Sequence, residues 1–148
     1  INEGSKLELG STAKLRVLAT YLGDAIVALF EKETAAADTA LELFNHLDQM
    51  NGLWEGAAFP ALQVGIGIHT GDIVVGDLSL RGRSEFAAVG EQANLAAEIE
   101  GYTRQKQVRI LISETTAKAV ESTHSLKSRG TVALEGGRLE VFELGAKQ

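Results

Sequence analysis

The chain has 148 residues, enough for a single domain over 1–148 with a sizeable core. Its 45% apolar and 23% charged residues are the balance of a folded domain rather than a disordered one. No apolar run reaches the length of a membrane span and the first residues do not form a signal peptide, so neither a membrane contact nor export is expected from this segment. The lack of cysteine removes disulfides and thiolate metal sites and fits a cytoplasmic setting; a net charge of −6 argues against a nucleic-acid partner but leaves a small polyanionic ligand open.

The stretch KLRVLATYLGDAIVALF holds two apolar, β-branched runs split by Gly23-Asp24, which predicts a hairpin of Lys14–Thr20 and Ala25–Phe30. ETAAADTALELFNHLDQMNG puts Ala37, Ala40, Leu41, Phe44 and Leu47 on one helical face, with Gly52 expected just past the helix end. ALQVGIGIHTGDIVVGDL reads as a second hairpin turning at Gly71-Asp72. A helix follows from Gly90 to about Gln105. VRILIS is a buried strand, and Ser113 is placed to cap a short helix with Glu114 in its first turn. LKSRGTVALEGGRLEVFEL closes the chain as a hairpin around Gly136-Gly137. Interleaved strands and helices give an α/β or α+β class with one mixed sheet, and the hairpins argue against an all-parallel one.

Few residues stand out chemically. Asp24 lies at a strand–strand turn, where a carboxylate can reach a hard cation such as Mg²⁺, although Gly-Asp is also an ordinary turn dipeptide. Asp72 repeats that dipeptide and is read as a turn. His69 is placed at a strand end as a structural residue, and no Ser or Cys partners it in a triad. His46, on a helix, and His124, in a loop, lack zinc-ligand spacing. RGRSEF offers Arg81 and Arg83 in a loop, where guanidinium forks match phosphate oxygens as readily as they face water. Asn94 and Glu98 are four apart and share a helix face, while Ala93, Ala96, Ala97 and Ile99 allow that helix to lie close to the sheet.

Taken in order, four stretches resemble the class III adenylate/guanylate cyclase catalytic domain. They are YLGDAIVALF, VGIGIHTGDIVVGDL, RSEFAAVGEQANLAAEIEG and ILISETTAKAV. The resemblance implies an α+β fold with a ferredoxin-like βαββαβ core, a mixed and mainly antiparallel sheet flanked by helices. It implies conversion of ATP or GTP to a 3′,5′-cyclic nucleotide and pyrophosphate, with two divalent ions, Mg²⁺ or Mn²⁺, at a head-to-tail dimer interface. Within it, Asp24 matches a metal-binding aspartate, Asn94 the ribose-positioning asparagine, and Arg83 a phosphate-side arginine. Thr20 and Ala87 stand at the base-reading positions, and Ala87 cannot hydrogen-bond a base. Glu98 stands where the family carries an arginine that stabilises charge on the phosphates, a reversal of sign at a site that depends on positive charge.

The resemblance also implies a first metal aspartate upstream of Asp24, yet residues 1–23 contain no Asp. The first strand is therefore expected to be missing, the domain N-terminally incomplete, and the outer edge of the Lys14–Phe30 hairpin uncovered and prone to pairing. The expected partners are a second copy, in a homodimer, or an intact cyclase domain, in a heterodimer. The chain is expected to be a cyclase with weak or lost activity. The alternative is a degenerate cyclase homology domain that binds nucleotide or dimerises as a regulatory module, as part of a larger, membrane-tethered protein or not.

Overall fold

The computed structural model describes residues 7–19, 24–57, 60–80, 83–89 and 91–148. Two antiparallel strands, β1 (Leu7–Ala19) and β2 (Asp24–Phe30), lead into helix α1 (Glu33–Glu55). β3 (Val64–Leu80) and β4 (Arg83–Val89) precede helix α2 (Glu91–Lys106). β5 (Ile110–Ser113), helix α3 (Glu114–Val120), β6 (His124–Leu134) and β7 (Gly137–Lys147) complete the chain. The strands form one sheet in the order β2-β1-β3-β5-β7-β6, with β4 paired to the far half of β3. Among the described strands only β3 and β5 pair in parallel. The class is α+β, as the alternating pattern indicated.

The expected hairpin is present as β1 and β2, with Thr20 outside the described residues. β1 starts earlier than expected and is paired on both sides, by β2 and β3. β2 is thus the sheet edge, and Val27 on it is half exposed.

Period-two patterning in Val64–Gly71 divides β3 between two helix layers. Ile66 and Ile68 point to one face, where they pack with Ala36, Ala37, Ala40 and Phe44 of α1, Ala117 and Val120 of α3, and Ile110, Ile112 and Leu144 of the sheet. Gly65, Gly67 and Gly71 point to the other, where α2 lies directly on the strand. There Ile99 of α2 packs with Val108, Leu111, Val132 and Val141.

The expectations for Gly71-Asp72, Arg83 and Gly52 are corrected. Gly71-Asp72 is not a turn, because β3 runs unbroken through it. Leu9 pairs with Ile73 and Thr12 with Gly71, so one extra β1 residue is taken up as a bulge opposite Asp72, and the reversal falls between Leu80 and Arg83. Arg83 therefore opens a strand rather than lying in a loop. Gly52 does not end α1, which runs on to Glu55 and is capped at Gly56. A glycine within a helix costs about 1 kcal/mol, and Asn51 offsets it by holding the Leu62 backbone from both sides, Nδ2 to O at 3.1 Å and N to Oδ1 at 2.9 Å.

Ser113 caps α3 as expected, accepting a hydrogen bond from the Thr116 N–H, and the Glu114 carboxylate pairs with Lys118 at 2.6 Å. The closing hairpin turns at Glu135 and Gly136, with Leu134 opposite Gly137, whose φ of +135° suits glycine.

His124 opens β6 rather than lying in a loop. It is buried, and its Nε2 meets Asp38 Oδ1 of α1 at 2.8 Å, while Lys147 Nζ donates to Asp38 Oδ2 at 3.0 Å. The Lys147 hydrogen bond chiefly, opposed by desolvation and helped by His124, holds the Asp38 carboxyl below its ordinary range. A depressed carboxylate stabilises the fold fully above its unfolded value of about 3.9, and that contribution is lost as pH falls through the lower folded value. We expect Asp38→Ala to cost about 1–3 kcal/mol at neutral pH by leaving buried His124 without this partner. Thermal unfolding across pH 2–7 should also show a flatter acid limb for the variant than for the parent chain.

Candidate functional site

Helix α2 and, packed on it, β3 and the β6–β7 turn carry a group of connected polar residues. The approach of α2 to β3 is unusually close. A Cβ built on Gly67 would stand 2.3 Å from the Ala96 carbonyl oxygen and 2.5 Å from the Glu100 nitrogen. At Gly71 it would stand 2.5 Å from Oε1 of Gln92. These glycines mark a helix seat.

Between those seats His69 projects to the same face. It lies within β3 rather than at its end, and it is buried. Its Nε2 meets Gln92 Oε1 at 2.6 Å and its Nδ1 meets Ser113 Oγ at 2.8 Å. With Gln92 presenting its carbonyl oxygen, Nε2 donates to it, and Nδ1 shares a hydrogen bond with the Ser113 hydroxyl. Ser113 Oγ continues to Thr116 Oγ1 at 3.1 Å, and Thr116 to Thr70 Oγ1 at 2.9 Å. This chain ties α2, β3, β5 and α3 together. His69 is a hydrogen-bonded structural residue, as read from the sequence.

Asn94 lies on α2 with its side chain exposed. Glu98 is half-buried one turn further, and its Oε2 accepts the backbone N–H of Glu135 at 2.8 Å. Tyr102, on the same face, donates its hydroxyl to the Ala133 carbonyl at 2.7 Å. Glu135 and Tyr102 were not singled out from the sequence. Glu135 enters through its main-chain N–H, which any residue but proline can supply, and carries no local signal.

Asp24 is the first residue of β2, level with Ala19 of β1 and through it with Val64 of β3. Arg83 and Ala87 lie on β4, opposite Leu80 and Gly76. The side chains of these three lie outside the description. Gly76 is twelve residues beyond Val64 along β3, roughly 40 Å of strand contour at 3.3 Å per residue. One chain thus separates Asp24 from the β4 residues along the strand. Among the described residues no three His, Cys, Asp or Glu side chains gather to hold a metal ion. A cleft of about 500 Å³, lined by Phe44, Asn51, Leu62, Thr103 and Arg104, lies by the C-terminal ends of α1 and α2.

This arrangement of sheet and helices defines a family. Residues 21–146 match the adenylate and guanylate cyclase catalytic domain, and the chain belongs to that family. Among relatives, an adenylate cyclase of Anabaena cylindrica is 34% identical over 115 residues, 74% of this chain and 23% of that protein. The chain spans a quarter or less of the length of the curated relatives it matches. The guanylyl cyclase Cya2 shares the fold with a TM-score of 0.80 at 22% identity, over 99% of this chain and 96% of that one. The guanylate cyclase domain of RhGC from Catenaria anguillulae, solved in complex with GTP, has a TM-score of 0.71 at 14% identity, over 96% of this chain and all of that one.

The close seat of α2 makes a direct prediction. Gly67→Ala places a methyl against the Ala96 carbonyl and should destabilise the domain by about 1–3 kcal/mol. In a chain of this size that is a fall of roughly 4–10 °C in the melting temperature, measurable by calorimetry. Gly101→Ala, where a Cβ meets nothing within 4 Å, should not lower it.

Proposed function

We propose that the chain is a class III nucleotide cyclase domain. It forms a 3′,5′-cyclic nucleotide and pyrophosphate from ATP or GTP as one half of a dimeric catalytic unit, with turnover reduced in this sequence. The observation that carries the proposal is the family match over residues 21–146, within which Asn94 stands exposed on α2. In the reaction the ribose O3′ bonds to the α-phosphorus, the bond from that phosphorus to the pyrophosphate oxygen breaks, and the hydroxyl proton passes to solvent.

In this reading the Asn94 amide hydrogen-bonds the ribose and holds the 3′-oxygen in line, an orientation effect. Arg83 takes phosphate oxygens. Asp24 is the residue that would hold a divalent cation, Mg²⁺ or Mn²⁺, which prefers oxygen donors. When bound, such ions polarise the phosphate and favour the deprotonated hydroxyl. The dimer, of two copies or with an intact cyclase domain, supplies what one chain separates along β3. Thr20 and Ala87 take the base-facing positions, and Ala87 offers no hydrogen bond, so discrimination between ATP and GTP should stay below about 100-fold, as in sites without a dedicated polar contact.

One observation favours a second reading, a regulatory module that binds nucleotide or dimerises without turnover. Glu98, at the arginine position, is engaged with the Glu135 N–H, and positive charge there is absent. A cytoplasmic location belongs to the proposal; among the described residues no helix is long and apolar enough to cross a membrane.

The test is cyclic nucleotide formation from ATP and GTP with Mn²⁺. We expect slow product from both nucleotides and a further loss of about 100-fold in Asn94→Ala. No product with nucleotide binding retained would select the regulatory module. Neither product nor binding would overturn the nucleotide-site proposal.

A further inference from the structure

Two hydrogen bonds and one close approach run along one face of α2 to the β6–β7 hairpin. Tyr102 Oη donates to the Ala133 carbonyl at 2.7 Å, and Glu98 Oε2 accepts from the Glu135 N–H at 2.8 Å. A Cβ built on Gly136 would stand 3.3 Å from Oε1 of Glu91, so the turn backbone lies against that side chain as well. Residues 91, 98 and 102 are spaced by seven and four, which places them in one stripe of the helix. Asn94, three beyond Glu91 and four before Glu98, falls in the same stripe. The hairpin tip is therefore strapped along the part of α2 that presents Asn94.

The chemistry at the tip is specific. The Glu135 N–H lies in a two-residue turn between Leu134 and Gly137, which pair with each other, so the strands leave it for another acceptor. Glu98 supplies one from 37 residues away in the chain. A carboxylate on a main-chain N–H makes a charge-assisted hydrogen bond, stronger than a neutral one. An arginine at this position has no acceptor and could not make it.

We propose that Glu98 is a positioning residue: its carboxylate latches the β6–β7 turn onto α2 beside Asn94, and release of that latch frees the turn from the Asn94 face. Glu98 thus acts through an acceptor oxygen and not through its charge on a ligand. The latch stands on its own geometry, and only its consequence for nucleotide rests on the function proposed above.

The distinction between acceptor and charge is testable with Glu98→Gln and Glu98→Ala. Glutamine keeps an oxygen at the same reach and loses the charge, whereas alanine loses both. Backbone amide exchange of the full chain is read at Glu135, with Ile99 and Leu111 as core references that report folding. We expect Glu135 exchange in Glu98→Gln to stay within about threefold of the parent and in Glu98→Ala to rise at least tenfold, with core amides unchanged. Tyr102→Phe, which removes the second strut, should raise exchange across 133–136 without altering the order of the Glu98 variants.

Fluorescent ATP and GTP analogues give the second readout. The latch predicts that Glu98→Gln binds like the parent and only Glu98→Ala differs. Equal gains in affinity for both variants would mean that Glu98 acts by charge and would overturn the proposal. So would Glu135 exchange that is unchanged in Glu98→Ala, or as fast in Glu98→Gln as in Glu98→Ala. If no variant binds nucleotide, the proposed function fails while amide exchange still decides the latch.

Discussion

The domain is organised by the contact of α2 with β3. At Gly67 the two backbones meet with no side chain between them, against Ala96 and Glu100, while at Gly71 the Gln92 side chain fills the space a Cβ would take. Once the helix is fixed at that depth, Gln92 reaches His69, and His69 reaches Ser113 at the head of α3. The same seat sets the height at which Asn94, Glu98 and Tyr102 face the β6–β7 hairpin. A methyl group at Gly67 would lift all of them together. The glycines of Val64–Gly71 are therefore best understood as a seat for α2, the helix that carries Asn94 and Glu98.

Much of this was legible in the sequence where periodicity and capping chemistry agree. Ala37, Ala40, Phe44 and Leu47 share the buried face of α1, and Ile110–Ser113 is buried throughout because helices cover both sides of the sheet. Ser113 reads as a cap because its hydroxyl has a local use. Gly71-Asp72 misleads because a turn and a bulge use the same residues, and the choice is made by β1, some sixty residues earlier in the chain. Gly52 misleads because the interaction that carries α1 past it is the Asn51 clamp on Leu62, which needs the fold to exist. Glu135 could not be read at all, since its contribution is a backbone N–H.

The family resemblance was legible in four ordered motifs, and the match over residues 21–146 bears it out. What one chain's sequence could not convey is the partner of the Glu98 carboxylate. A carboxylate facing phosphates would be repulsive, yet here it has an internal partner in the Glu135 N–H. The Glu98 carboxylate is thus an acceptor for the turn above this helix.

The central claim is that one chain carries half of a nucleotide site, with Asp24 level with the start of β3 and Arg83 and Ala87 on β4 beyond its midpoint. It is tested most directly by measuring the affinity of an ATP or GTP analogue across protein concentrations, beside sedimentation of the same samples. The account predicts weak binding where the chain is monomeric, with affinity rising in step with dimer formation and nucleotide shifting the equilibrium toward the dimer. Full-affinity binding at one nucleotide per monomer, at concentrations where only monomer sediments, would contradict it.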